Sequence, residues 1–388
     1  MIRVLHFASV INRYDFIDTV LTGLDRSRFE VAALTVVPPN NRTGAYSDDE
    51  RYETQCLDIP FERRNYPMIY RGLRAKIREF RPHILQAHHY DETVLAAFAA
   101  KQSGVPAFVI GHQYSDHIYV LTKGLKRKAY LFVERLCNSY ADRIVVPTQE
   151  VVDLLVSQGV KPEKILKNPY GTDLGMVDDA SQVEIDKIRS DFGLNEKFVA
   201  LTCCRLNKEK GLDHLLQAVP AIKARHPHFK LAMVGTGAYE ARLKEICTEL
   251  NIDDAVVFVG WRKDSYNWYS LADVVIQPSL AESFCQVVTE ALAFKKPIVV
   301  TPVGIAPEVI ISGERGGYLV EIGSSRDIEN AVCSLIADAG HRALLGETGF
   351  EFVSSILTVE ATAERYEELY SDIIETRLPD LRSVNQNA

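Results

Sequence analysis

Short apolar runs alternate with longer amphipathic segments along the chain. Ile2–Phe7, Val31–Val36, His83–Ala87, Ala107–Ile110 and Arg143–Val146 each have the length and content of a buried strand. Between the second and third of them, Tyr70–Phe80 carries apolar residues at helical spacing, and Pro82 stops it. The same style resumes after residue 195. Phe198–Thr202, Lys230–Val234, Val256–Val259, Val274–Gln277 and Pro297–Val300 read as strands, and Gly211–Arg225, Tyr239–Leu250 and Thr289–Phe294 as helical stretches. Strands alternating with helices imply βαβ units, right-handed crossovers and a parallel sheet. The pattern occurs twice, so two doubly wound α/β domains in tandem are expected. The polar stretch between Asp173 and Asn195 reads as the boundary. The expected division is 1–175, 176–355, and a last segment 356–388. The helix of that segment, Val359–Glu375, would pack back across the junction. In such folds ligands bind beyond the carboxyl ends of the strands, which places a site in the cleft between the domains.

Composition changes this picture little. A chain of 388 residues, 47% hydrophobic and 25% charged, suits two soluble cores. Its seven Cys show no C-x-x-C pair and no Cys/His spacing of a zinc site, so reduced thiols in a cytoplasmic protein are expected. No apolar run reaches the length of a membrane span, and the first residues read as a strand rather than a signal peptide. Charge is more informative. The chain carries −8 overall, yet residues 1–170 hold 23 basic against 19 acidic side chains. Two basic stretches stand out there. Arg63 to Arg81 has seven cations, and Lys123, Lys126, Arg127 and Lys128 precede an apolar run. They read either as solvated helix faces or as a surface for anionic lipid or an anionic acceptor. Nucleic acid is not an expected partner.

Three clusters could carry chemistry. Thr202–Gly211 lies between a strand end and a helix start, and offers Arg205 and Lys210 to an anion such as a diphosphate. Gly235 and Gly237 follow a strand and would let a ligand approach the backbone. Glu240 stands where a dinucleotide fingerprint needs its third glycine, which demotes a nicotinamide cofactor. The third cluster, Pro278–Ala291, holds two carboxylates eight residues apart, Glu282 in a loop and Glu290 about two turns into a helix. Backbone N–H groups of Ser283, Phe284, Cys285, Gln286 and Val287 would form another anion site at that helix start.

Taken in order, these elements resemble family 4 of the retaining glycosyltransferases, the glycosyl transferases group 1. Arg205-Leu206…Lys210-Gly211 is similar to the family's R-x-x-x-x-K-G element, and Glu282…Glu290 to its E-x7-E signature. Thr301–Val309 resembles its G-G-x-P-E segment, Gly317–Val320 the strand after it, and Asn168–Asp173 its interdomain N-G-x-D element. The resemblance implies the GT-B fold, two facing Rossmann-like domains. It implies a nucleotide diphosphate sugar as donor substrate, with no cofactor and no metal. The absence of any Asp-x-Asp agrees with the last point. By the same resemblance Arg205 and Lys210 bind the donor phosphates, Glu290 the ribose and Glu282 the transferred sugar. Arg262 lies near the base, and His112 enters the cleft from the first domain. The implied reaction moves a hexose-type sugar to a saccharide or lipid-linked acceptor, by front-face displacement with retention. Peripheral contact with an anionic membrane through the basic half is a further expectation.

Two positions depart from the family pattern. Ala8–Asp15 has no glycine where the family often has a Gly-Gly loop, and Arg13 would supply charge instead; Cys285 replaces a glycine after Glu282-Ser283-Phe284. The departures keep two alternatives in view. One is a GT-B-like sugar-nucleotide epimerase, and the other is a non-catalytic nucleotide-sugar-binding protein.

Overall fold

The computed structural model describes residues 1–11, 16–36, 52–113 and 122–379. The chain divides into two compact units, Met1–Gly171 together with the chain from Val359 onward, and Thr172–Thr358. The expected role of Arg13 falls outside the described residues.

The first unit is built on seven parallel strands: β1 (Ile2–Phe7), β2 (Phe29–Thr35), β3 (Glu53–Cys56), β4 (Ile84–His88), β5 (Ala107–Gly111), β6 (Arg143–Val146) and β7 (Ile165–Lys167). Their spatial order is β3-β2-β1-β4-β5-β6-β7. The edge strand β3 reads Glu-Thr-Gln-Cys and has no apolar run, so sequence alone gives no sign of it. The central strands are buried on both faces, with Val4, Leu5, Ile84, Leu85, Val109 and Ile110 fully covered, as a sheet sandwiched by helices requires. The expected helix Tyr70–Phe80 begins earlier, at Tyr66. Pro67 in its first turn lacks only an N–H that would have no partner there.

The last helix, Val359–Arg377, packs within this unit against the helix Phe16–Gly23. A Cβ on Gly23 would stand 2.9 Å from Ala363 Cβ, so the two helices approach closely. Buried polar bonds fix the docking. Tyr370 Oη donates to Gln86 Oε1 (2.6 Å), and Asn168 Nδ2 donates to the Thr362 carbonyl (3.1 Å). His6 and His88 stack behind Tyr370, and burial holds His6 neutral by lowering its pKa to about 3.

The second unit has six parallel strands: β8 (Phe198–Cys203), β9 (Phe229–Val234), β10 (Val256–Gly260), β11 (Val274–Gln277), β12 (Ile298–Val300) and β13 (Gly317–Leu319). Their order is β10-β9-β8-β11-β12-β13. Strand order therefore reverses between β8 and β11. At such a switch point the two following loops diverge to opposite faces and leave a crevice at the carboxyl ends of the strands. The core beneath is apolar, with Leu212, Leu215, Leu216, Val219 and Ile222 of the helix Leu212–Arg225 fully buried against Leu231 and Met233. Each such side chain contributes about 1.5–3 kcal/mol.

Candidate functional site

The loops after β8 and β11 form the site, and the chain itself shapes them. Leu206 and Leu212 are both fully buried and bracket the β8 loop, so the segment between them is pinned at both ends. Arg205 is exposed. Its side chain forms no hydrogen bond or ion pair with the described residues. Gly211 adopts φ +62°, and a Cβ there would stand 2.1 Å from the Pro278 carbonyl oxygen. Only glycine lets the β8 loop turn this close to the β11 loop. The Leu280 N–H donates across the same junction to the Glu209 carbonyl (2.8 Å).

This contact brings Lys210 and Glu282 together. Lys210 Nζ donates to Glu282 Oε1 at 2.7 Å, with side chains only 10% and 11% exposed. Burial pulls the Lys210 pKa down, but the charge and hydrogen bond of Glu282 outweigh it and leave the amine above its ordinary value. Glu282 is held from behind as well. Ser279 Oγ donates to the same Oε1 (2.7 Å), and Gln277 Nε2 donates to Ser279 Oγ (2.8 Å). Thr202 Oγ1 of β8 donates to Gln277 Oε1 (3.4 Å), and Thr301 Oγ1 donates to the Ser279 carbonyl (2.6 Å). Three neighbouring strands therefore orient one carboxylate.

Glu290 lies on the helix Gln286–Ala293. That helix starts at Gln286, so Glu290 stands about one turn in, where two were expected. Tyr269 Oη, fully buried, donates to Glu290 Oε2 at 2.6 Å. Burial raises the Glu290 pKa, and the bonds from Tyr269 and Gln286 oppose that rise. Sequence reading missed Tyr269, Ser279 and Gln277. The only signal for Tyr269 was an aromatic-rich helix, Ser265–Leu271, with no chemistry of its own.

Cys285, at the position of the family glycine, takes φ +69° and caps the helix Gln286–Ala293. A left-handed backbone is costly for a residue with a side chain, about 1–3 kcal/mol. Cys285 is buried, and burial together with the Glu282 charge pushes its thiol pKa well up. Phe284 is buried too, and its carbonyl accepts from the Ile305 N–H (2.7 Å), which ties the β12 loop to this turn. Ser283, Gln286 and Val287 are half-buried along the same turn.

The other expected residues lie on other loops. Gly235 does permit a close approach, but the group that approaches is protein: a Cβ there would stand 1.9 Å from the Cys204 carbonyl oxygen. Arg262 follows β10 at the edge of the sheet, two strands from β8, and Asp264 holds its guanidinium in a bidentate pair (2.8 and 2.7 Å). His112 belongs to the first unit. It follows β5, is fully buried, and its Nε2 pairs with Glu134 Oε1 at 2.8 Å. Also in that unit, the Ser9 N–H at the end of β1 donates to the Glu92 carboxylate (3.0 Å).

Two all-parallel sheets, the second with a switch point between β8 and β11, define a doubly wound α/β protein, and comparison with known proteins narrows the class. Residues 184–352 match the glycosyl transferases group 1 model, and residues 17–171 match the glycosyl transferase 4-like domain. The putative glycosyltransferase EpsD of Bacillus subtilis is 26% identical over 85% of this chain and 88% of its own length. A D-inositol 3-phosphate glycosyltransferase of Corynebacterium aurimucosum is 30% identical over 63% of this chain, which spans 61% of that relative. Among solved structures, Anabaena Alr3699/HepE in complex with UDP and glucose matches with a TM-score of 0.82 at 20% identity, covering 96% of this chain and 100% of that one. The chain belongs to the family 4 type of glycosyltransferases and has the GT-B class of fold.

Proposed function

We propose that the second unit binds a nucleoside diphosphate sugar and that the protein transfers the sugar, a hexose, to a saccharide or lipid-linked acceptor. The observation that carries this reading is the Lys210–Glu282 pair at the switch point, with the exposed cation Arg205 on the same loop. In the proposed complex Lys210 and Arg205 face the diphosphate. Negative charge grows on the leaving diphosphate as the glycosidic bond breaks, and fixed cations there stabilise the transition state more than the ground state. Glu282, oriented by Ser279 and Lys210, accepts hydrogen bonds from the sugar hydroxyls. Glu290, aimed by Tyr269, accepts from the ribose diol. With two cations on the diphosphate no metal is needed, and the departing phosphate oxygen takes the acceptor proton on the same face, which retains configuration.

UDP is the first nucleotide to test, because the Anabaena neighbour was solved with UDP and glucose. The experiment is a thermal-shift titration with UDP, GDP, ADP and their sugar conjugates, with and without EDTA. A ligand at a hundred times its Kd adds about 2.7 kcal/mol of stability. An EDTA-insensitive shift with one nucleotide supports the donor site and names the base. A flat response to all three would refute it. Incubating the donor without acceptor tests the epimerase alternative, and the anomeric configuration of a product tests retention.

A further inference from the structure

The amino ends of β8, β11 and β12 gather charge of one sign, at the end of the second sheet opposite the loops that carry Lys210 and Glu282. Val275 of β11 pairs with Ile298 of β12, and Val274 with Ala200 of β8. The same register sets Asp273 between Lys296, just before β12, and Val199 of β8. Its carboxylate accepts from the Val199 N–H (2.8 Å). Two arginines reach this edge from helices. Arg342, on the helix Ala339–Ile356, holds its guanidinium 5.2 Å from the centre of the Phe198 ring at the start of β8. Arg189, on the helix Gln182–Asp191, donates to the Leu271 carbonyl just before Asp273 (2.8 Å). The strand β11, Val274–Gln277, spans about 13 Å, so the edge is well separated from the loops at its far end.

Both arginines have structural duties there. Arg189 donates to the Leu194 carbonyl as well (3.3 Å), and Arg342 to the Leu335 carbonyl (2.7 Å), as cations near helix ends commonly do. Lys296 has no such duty. Its side chain is half-buried and forms no hydrogen bond or ion pair among the described residues. Burial pulls its pKa down, Asp273 opposes the fall, and Arg189 and Arg342 add to it. A lysine withdrawn from water is ordinarily paired. Here three cations face one carboxylate, and a backbone N–H already engages that carboxylate. Each guanidinium carries five N–H groups and spends only part of them on carbonyls. We propose that Lys296, Arg189 and Arg342 form a binding site for a phosphate group. A phosphate dianion balances the positive charge that Asp273 leaves over, and its oxygens accept from the amine and from the unspent guanidinium N–H groups. The bound group ties the helices of Arg189 and Arg342 to the start of β12. This inference stands apart from the proposed donor site, which lies at the other end of the strands.

The test is lysine footprinting of the full chain with an acetylating reagent, read by peptide mass spectrometry. Inorganic phosphate and glycerol phosphate are the probes, and sodium chloride at equal ionic strength is the control. At about ten times its Kd, a phosphate probe slows acetylation of Lys296 about tenfold, and chloride does not. Lys210 is read on a separate peptide, so failure of the donor site and failure of this site are told apart. Thermal shift, with UDP present to fill the donor site, is the second measurement. Phosphate at about ten times its Kd raises the wild-type melting temperature by about 3–6 °C. Lys296→Met and Arg342→Gln each lose most of that gain. Without phosphate, Lys296→Met melts no lower than wild type, because it removes a cation that has no partner. A fall of several degrees there shows that Lys296 serves Asp273 instead and overturns the proposal. Equal protection by the two probes assigns the phosphate group alone, and tighter protection by glycerol phosphate assigns a phosphate ester. No protection by either probe, equal protection by chloride, or an undiminished thermal gain in Lys296→Met also overturns it.

Discussion

Replacing Glu282 with glutamine keeps the shape of the side chain and removes its charge. In the wild type that charge is shared between Lys210 Nζ and Ser279 Oγ, both at 2.7 Å, in a setting where each partner of the ion pair is about one-tenth exposed. The glutamine oxygen can still accept both bonds. The loss is therefore the charge-assisted part of the Lys210 bond, about 1.5–3 kcal/mol, not the 3–5 kcal/mol expected when a buried ion is left with no partner. For a unit of this size the melting temperature falls about 2–4 °C per kcal/mol, so Glu282→Gln should melt roughly 3–12 °C lower. Lys210→Met, which strands the carboxylate, should cost more, about 3–5 kcal/mol.

The functional sign of Glu282→Gln is sharper than its stability cost. On the proposed reading, Glu282 in the free protein neutralises the cation that would meet the diphosphate. Removing the carboxylate charge frees Lys210, so UDP should bind as tightly as to wild type or more tightly. Turnover should fall by about 10² or more, because the carboxylate no longer holds the sugar as charge develops. Calorimetric titration with UDP and a donor-consumption assay read the two quantities separately. A tenfold loss of UDP affinity, or wild-type turnover, in a folded Glu282→Gln protein would refute the reasoning.

Arg205→Ala should weaken UDP binding about tenfold with almost no change in melting, since the side chain is exposed and forms no pair with the described residues; a melting shift of several degrees would contradict that. Tyr269→Phe removes the tyrosine bond to Glu290 and should weaken nucleotide binding about tenfold. Its stability cost is also pH-dependent. The folded pKa of Glu290 is raised by burial, and losing the tyrosine bond raises it further. The variant's deficit should therefore be small below the ordinary glutamate pKa and grow as pH rises through the folded value, which urea melts taken across that pH range can read. Gly211→Ala should destabilise the second unit by about 1–3 kcal/mol and abolish UDP binding, because the methyl group drives the Pro278 carbonyl and its loop away. Retained binding there would mean that the two loops need not touch.

Much of the fold was legible because buried parallel strands announce themselves as apolar runs, and those of β1, β8, β9 and β11 stand out in the sequence. The parts that were not legible share a cause. β3, Glu53–Cys56, and β7, Ile165–Lys167, are short edge strands that bury one side at most, so no apolar run marks them. The helix Tyr90–Ser103 leaves Phe98 exposed and Val94 half-buried beside Asp91 and Gln102 and buries Glu92 and Thr93, so apolar and polar positions do not separate into two faces and no 3.6-residue rhythm shows. Glu282, Lys210 and Arg205 were visible through motif spacing. Their supports were not, because Thr202 and Gln277 lie 75 positions apart and meet only when β8 pairs with β11.

That pairing also explains why the site tolerates Cys285. The turn Glu282–Cys285 is held by bonds made elsewhere: Leu280 to the β8 loop, Ser279 to β11 and the β12 loop, and the Phe284 carbonyl to Ile305. A residue with φ +69° costs about 1–3 kcal/mol, and several hydrogen bonds of about 0.5–1.5 kcal/mol each are enough to hold it there. Glycine at this position is thus a convenience of the family pattern, not a requirement of this turn. Cys285→Gly should leave the loop geometry and UDP affinity unchanged, and relief of the left-handed backbone should offset part of the loss of a buried side chain. An affinity change of tenfold on that substitution would show instead that the thiol itself takes part in donor binding.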